Sequence, residues 1–94
     1  MNNTDNFRLI YKILNIYKNA LWEDGVSSDD LMPDKLKTTE THIRNILLVL
    51  RNAGLIIGTN GQTVITLEGL EYLESNPQMR KIAGDINPYA YNSK

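Results

Sequence analysis

The stretch LRNAGLIIGTNGQTVITLEGLEYLESN, Leu50–Asn76, decides the fold. Gly54 follows an apolar periodic segment and can take the left-handed conformation that ends a helix, with Leu55 placed to pack back on the last turn. Leu55, Ile56 and Ile57 are β-prone, Asn60-Gly61 is the preferred pair for a tight type I′ turn, and Val64, Ile65 and Thr66 return as a second strand. That register sets Ile57 opposite Val64 and Ile56 opposite Ile65, so one pair can pin the hairpin to the helices while the other is partly shielded. Thr66 then caps a helix from Leu67 to Ser75, turning Leu67, Leu70 and Leu73 or Tyr72 inward and leaving Glu68, Glu71 and Glu74 wet.

Upstream, Thr38 or Thr39 supplies a hydroxyl cap for a helix that runs to Ala53, with Glu40 in its first turn against the positive end of the helix dipole. Ile43, Ile46, Leu47 and Leu50 share its buried face, while Thr41, Arg44, Asn45, Leu48 and Asn52 point the opposite way. Pro33 suits the first turn of a short preceding helix, MPDKLK, that ends near Lys37. Trp22 to Met32 (WEDGVSSDDLM) has the Gly, Ser and acid content of a connecting segment, with room for one short extended piece near Val26.

From Asp5 to about Leu21, the polar residues Arg8, Lys12, Asn15 and Asn19 recur at helical spacing and draw one narrow wet stripe. Almost everything else on this first helix is apolar. The surplus predicts packing on two sides, one facing the domain core and the other facing the C-terminal segment or a second subunit. Tyr11 and Tyr17 belong to that packing, and Trp22 is expected to plug the edge of the core. At the other end, Asn76 and Pro77 restart a helix as cap and first residue. Met79, Ile82, Ala83 and Ile86 give it an apolar stripe suited to docking on a neighbour, and Pro88 to Lys94 should fray.

A short helix, a tight turn with a capping threonine, and a longer helix with a core-facing stripe make a helix-turn-helix. With a preceding helix, a following hairpin and a further helix, the order is that of a winged helix-turn-helix: a mainly α, α+β fold with an extra C-terminal helical segment. The 94 residues form one domain, with a core over 5–76 and the terminal segment and tail over 77–94.

ITLEGLEYLESNPQMRKIAG (Ile65 to Gly84) resembles the ending of the YjcQ family, small winged-helix proteins of Gram-positive bacteria and their phages. A Gly, a Tyr-Leu pair, an Asn and a Met-x-Lys-like run recur there. IRNILLVLRNAGLIIG (Ile43 to Gly58) is similar to that family's recognition helix leading into its first wing strand, and FRLIYKIL to its opening helix. The resemblance spans Phe7 to Gly84 and implies the fold and a phage or prophage setting. It implies no mechanism, and the WEDGVSSDDL segment is not among the stretches matched to it.

Composition excludes several functions. The chain has no cysteine and one histidine, so disulfides, thiolate metal sites and an ordinary zinc site are not expected. Its apolar runs fall short of the roughly 20 residues needed to span a bilayer, and MNNTDNFR lacks the pattern of a signal peptide, so a cytoplasmic location with no membrane partner is expected. Ser27, Ser28, Ser75 and Ser93 have no histidine at a spacing that suggests a triad. Asp24, Asp29 and Asp30 read as linker solvation, and glycine-rich phosphate loops are absent. No enzymatic activity and no cofactor are expected.

Two readings of function remain. In the first, the third helix binds double-stranded DNA: Lys35, Lys37, Thr39 and Thr41 can hold phosphates, Arg44 can fork to guanine and Asn45 to adenine. Net charge is −1, a handicap for a phosphate binder, but from Pro33 to Asn52 four bases (Lys35, Lys37, Arg44, Arg51) face two acids (Asp34, Glu40). A homodimer through the first helix and the C-terminal segment would add a second half-site and offset the weak charge. In the second reading the same fold is a non-catalytic protein-interaction module, with Leu48 and the uncharged hairpin meeting a phage or host protein. Leu55 to Thr66 holds no charged residue, so an arginine cannot enter the minor groove from the wing. His42, on the flank of the helix, is assigned no catalytic or metal role.

Overall fold

In the computed structural model, residues 3–59 and 61–86 are described. Five α-helices and one antiparallel hairpin follow one another as α1 (Asn3–Asn19), α2 (Pro33–Leu36), α3 (Glu40–Asn52), β1 (Ile56–Thr59), β2 (Gln62–Ile65), α4 (Leu67–Ser75) and α5 (Pro77–Ile86). Two 3-10 turns, Ala20–Trp22 and Ser28–Leu31, lie between α1 and α2. This is a winged-helix-like α+β architecture.

Capping chemistry sets most boundaries. Pro33 opens α2, and the α3 cap is Thr39, whose hydroxyl accepts the His42 N–H at 3.1 Å. At the far end of α3, the Gly54 N–H donates to Arg51 and the Leu55 N–H to Leu50, at 3.1 and 2.9 Å. That pair of bonds is a Schellman closure, and it requires the positive φ of +78° that Gly54 adopts without a Cβ penalty. Leu55 is buried just beyond, as its position predicted.

The hairpin has the expected register: Ile56 pairs with Ile65 and Ile57 with Val64. The first pair is buried against the helices, whereas Ile57 is half exposed. Gly61 has φ +77°, while Asn60, the other half of the expected turn pair, lies outside the described residues. Thr66 then joins three elements. Its hydroxyl donates to the Gly54 carbonyl at 2.6 Å and accepts the Gly69 N–H at 2.9 Å, and its own N–H donates to Leu55 at 3.0 Å. The end of α3, the return of β2 and the start of α4 are thereby tied at one residue.

One continuous core results, built from Leu9, Ile10, Ile13, Leu14 and Tyr17 of α1, Ile43, Ile46 and Leu50 of α3, and the Ile56–Ile65 pair. Leu73 of α4 and Met79 and Ile82 of α5 complete it. Met79 is fully buried, and α5 packs on α1 and α4. The second side of α1 is thus covered by the chain's own C-terminal segment, and its apolar surplus needs no second subunit. Asn76 caps α5 as expected, its Oδ1 accepting from Gln78 and Met79 at 2.9 and 3.2 Å. The expected fraying of Pro88 to Lys94 falls outside the described residues.

Several expectations at element ends are corrected. Trp22 does not plug the core; it is 92% exposed, and Leu21 beside it is half exposed. The α-helix stops at Asn19, and the tighter 3-10 turn that follows rotates Ala20 inward in their place. Leu67 does not turn inward and is 81% exposed. With 3.6 residues per turn it sits about 200° from Gly69, the residue that Thr66 draws against the hairpin. Leu47 is only half-buried, Ile86 is exposed, and Val26 lies in irregular backbone, packed against the core but in no strand. The segment around it folds instead into the Ser28–Leu31 turn, closed by a capping box between Ser27 and Asp30.

Candidate nucleic-acid interface

The α2–α3 turn is built on an unusual backbone. Lys37 ends α2 at φ 59° and ψ 40°, a left-handed conformation that costs an L-residue roughly 1–2 kcal/mol. The fold holds it there because Leu36 is buried on one side and Thr39 starts α3 on the other. Nothing in the residue type predicted this conformation for Lys37, since glycine or asparagine is the usual occupant.

His42 fixes the same turn from behind. Its Nδ1 lies 2.7 Å from the Thr38 hydroxyl and its Nε2 lies 2.8 Å from Asn6 Oδ1 in α1. A neutral ring with its proton on Nε2 satisfies both bonds, accepting from Thr38 and donating to Asn6. The sequence placed His42 on a flank without a partner. Its link to Asn6 spans 36 residues and leaves no local signature.

With the turn fixed, the outward face of α3 carries Thr41, Arg44, Asn45 and Leu48, all exposed. Lys35, Lys37 and Thr39 are exposed at its N-terminal end. Thr39 is partly committed, since its oxygen already serves as the cap. These residues therefore lie along one α3 face and the turn leading into it. Arg51, counted with them in the local charge, behaves differently: its Nη2 lies 3.5 Å from the Thr63 hydroxyl on β2. It is also close enough to Tyr17 to counter, in part, the burial that pushes that hydroxyl above its usual pKa. Tyr72 is likewise pushed up by burial.

Arg8 and Lys12 were legible only as a wet stripe on α1. The fold brings them to a cleft shared with Lys37, Thr38 and His42. Leu48, Val49 and Ile57 are each about half exposed, at 49%, 52% and 49%, giving α3 and β1 apolar groups open to contact. Among the described residues no cluster of His, Cys, Asp and Glu could hold a metal ion, and no helix is long and apolar enough to cross a membrane.

Comparison with known proteins gives one match. Neither the curated proteins nor the solved structures returned a similar chain. The family model described as "YjcQ protein" matches residues 11–87, from the middle of α1 to just beyond α5, and the chain belongs to the YjcQ family.

Proposed function

We propose that this protein is a non-catalytic, winged-helix DNA-binding protein, acting as a transcriptional regulator in a phage or prophage, with α3 as the recognition helix. The observation that carries the reading is that α3 exposes Arg44 and Asn45 and is preceded by exposed Lys35 at the end of α2 and exposed Lys37 in the turn. Arg and Asn are side chains that can read guanine and adenine edges in a major groove, and the lysines can hold flanking phosphates. The phage or prophage setting is what kinship with the YjcQ family suggests. Fluorescence anisotropy on mixed genomic duplexes tests the reading. Binding should weaken steeply as salt rises, and Arg44→Ala should cost about 1–3 kcal/mol on the preferred site. No binding at low salt would remove it.

A second reading is favoured by Leu48, Val49 and Ile57, which leave apolar surface on α3 and β1. On that reading the same face meets a phage or host protein and no nucleic acid is involved. Leu48→Asp would then abolish capture of the partner with an unchanged circular dichroism spectrum, while DNA affinity stays undetectable. A homodimer would present two recognition helices to two half-sites, and sedimentation across a concentration series reads its presence directly.

A further inference from the structure

The N-terminal half of α1 and the α2–α3 turn enclose a cleft of about 300 Å³. Arg8 and Lys12 enter from α1, Lys37 and Thr38 from the turn and His42 from α3, together with Asp5. Four residues apart, Arg8 and Lys12 lie one above the other on a single helix face. The cleft thus gathers three cationic side chains against one carboxylate. Among the described residues none of the three cations has a carboxylate within ion-pair distance; the salt bridge found there joins Lys18 and Glu74 at 3.9 Å. The walls are held in place, because His42 binds Thr38 on one side and Asn6 of α1 on the other.

We propose that this cleft holds a phosphate of the DNA backbone, so that the DNA footprint runs from α3 onto α1. The inference rests on the DNA-binding reading and deepens it. Lys37 stands two residues ahead of Thr39, the cap of the helix assigned to the major groove. A strand bordering that groove runs past the helix N-terminus, which brings its phosphates to the cleft. Point charges on long side chains suit a phosphate oxyanion and read no base, so the contribution is independent of sequence.

Anisotropy over a salt series on two unrelated duplexes tests this, comparing the wild type with Arg8→Gln/Lys12→Gln and with the charge-matched Lys18→Gln/Lys81→Gln. Each neutralised phosphate contributes about 0.9 to the slope of log affinity against log salt, so the cleft variant should lose about 0.9, the share of one phosphate, on both duplexes while the control keeps its slope. Arg8→Gln alone, at an exposed position, should lose part of that same slope on both duplexes, which keeps the test valid if the double variant folds poorly. Equal slopes in the cleft variants and the control, with Arg44→Ala still weakening binding, overturn the proposal and leave the DNA reading standing. Absence of DNA binding by the wild type overturns both. Saturable shifts of the Thr38 and His42 amides with inorganic phosphate, accompanied by equal DNA slopes, would make the cleft a small-anion site and also overturn it.

Discussion

Gly69→Ala tests the junction on which the hairpin and the end of α3 depend. Inside an ordinary helix, alanine is more stable than glycine by roughly 0.5–1 kcal/mol. At Gly69 the sign should reverse. A Cβ there would stand 2.6 Å from Cγ1 of Ile65 and closer still to the Leu55 carbonyl oxygen. That carbonyl cannot easily withdraw: it accepts the Thr66 N–H at 3.0 Å, and the Leu55 N–H closes α3 on Leu50 at 2.9 Å. Relief therefore requires α4 to slide off the hairpin. Overpacking of this kind costs about 1–3 kcal/mol, and disturbing the Thr66 cap adds about 1 more. After the propensity gain, the net loss is about 2 kcal/mol, a fall in Tm of roughly 8–16 °C for a domain of this size. Urea denaturation followed by circular dichroism should show a lower midpoint at an unchanged slope. Gly58→Ala serves as the control, because its Cβ would meet only the Thr63 hydroxyl at an ordinary 3.8 Å. If Gly69→Ala stabilises the protein as helix propensity alone dictates, the close approach of α4 to the Leu55 backbone is refuted.

Lys37→Gly should stabilise the fold by about 0.5–1 kcal/mol in urea, since glycine meets no penalty at that φ and loses some of the gain to its freer unfolded chain. The same variant should lower the DNA salt slope by a fraction of the roughly 0.9 that one phosphate contributes, making the strained lysine a case of stability given up for contact. Thr66→Val, which removes a donor to Gly54 and the cap of α4, should cost about 2 kcal/mol, and Thr66→Ser should recover most of it by the same denaturation assay. Tyr17 and Tyr72 have raised folded pKa values, so an unfolded tyrosine ionises near pH 10 while these two stay neutral. The stability they contribute is present below about pH 10 and is lost as pH climbs from there through the folded values, and Tyr17→Phe should flatten that alkaline decline in a Tm-against-pH series. Glu68→Gln/Glu71→Gln moves net charge from −1 to +1 on exposed sites of α4, yet DNA affinity at physiological salt should stay within about twofold, because screening acts over about 8 Å. A tenfold gain by anisotropy would mean that bulk charge, and not the α3 face, governs binding.

The sequence was most informative where local chemistry acts alone. Thr39, Gly54, Thr66 and Asn76 each mark a helix boundary through a bond to a backbone group within a few residues, and each stands where its type predicted. The Ile56–Ile65 pairing followed from alternation and turn length in the same way. Apolar residues at helix ends were less legible. Trp22 and Leu67 carry the hydrophobicity of core residues, but a 3-10 turn at one and the helix start at the other rotate them into solvent. The second face of α1 was ambiguous for a different reason: periodicity counts apolar sides without naming what covers them, and the cover proved to be α5. Of the candidate interface, the α3 face was readable because it follows one helical period. His42's bond to Asn6 and the meeting of Arg8 with Lys37 were not, because they depend on how α1 crosses the turn.

That last distinction bears on how an acidic chain could meet a polyanion. Net charge treats the protein as a scalar, whereas a duplex in salt responds to charges within about a Debye length of its phosphates. Many of the acids are gathered in two segments: Glu23, Asp24, Asp29 and Asp30 before α2, and Glu68, Glu71 and Glu74 on α4. Folding also reassigns the bases. Arg51 lies on α3 itself, yet its guanidinium turns to Thr63 and Tyr17 at the hairpin end. Arg8 and Lys12, more than twenty residues before the turn, are carried to its side. Counting along the helix-turn-helix segment selects Lys35, Lys37, Arg44 and Arg51, whereas the fold flanks the turn with Arg8 and Lys12 beside Lys37 and turns Arg51 away. A polyanion meeting the α2–α3 turn would respond to the charges within a Debye length of it and little to the chain's net charge of −1.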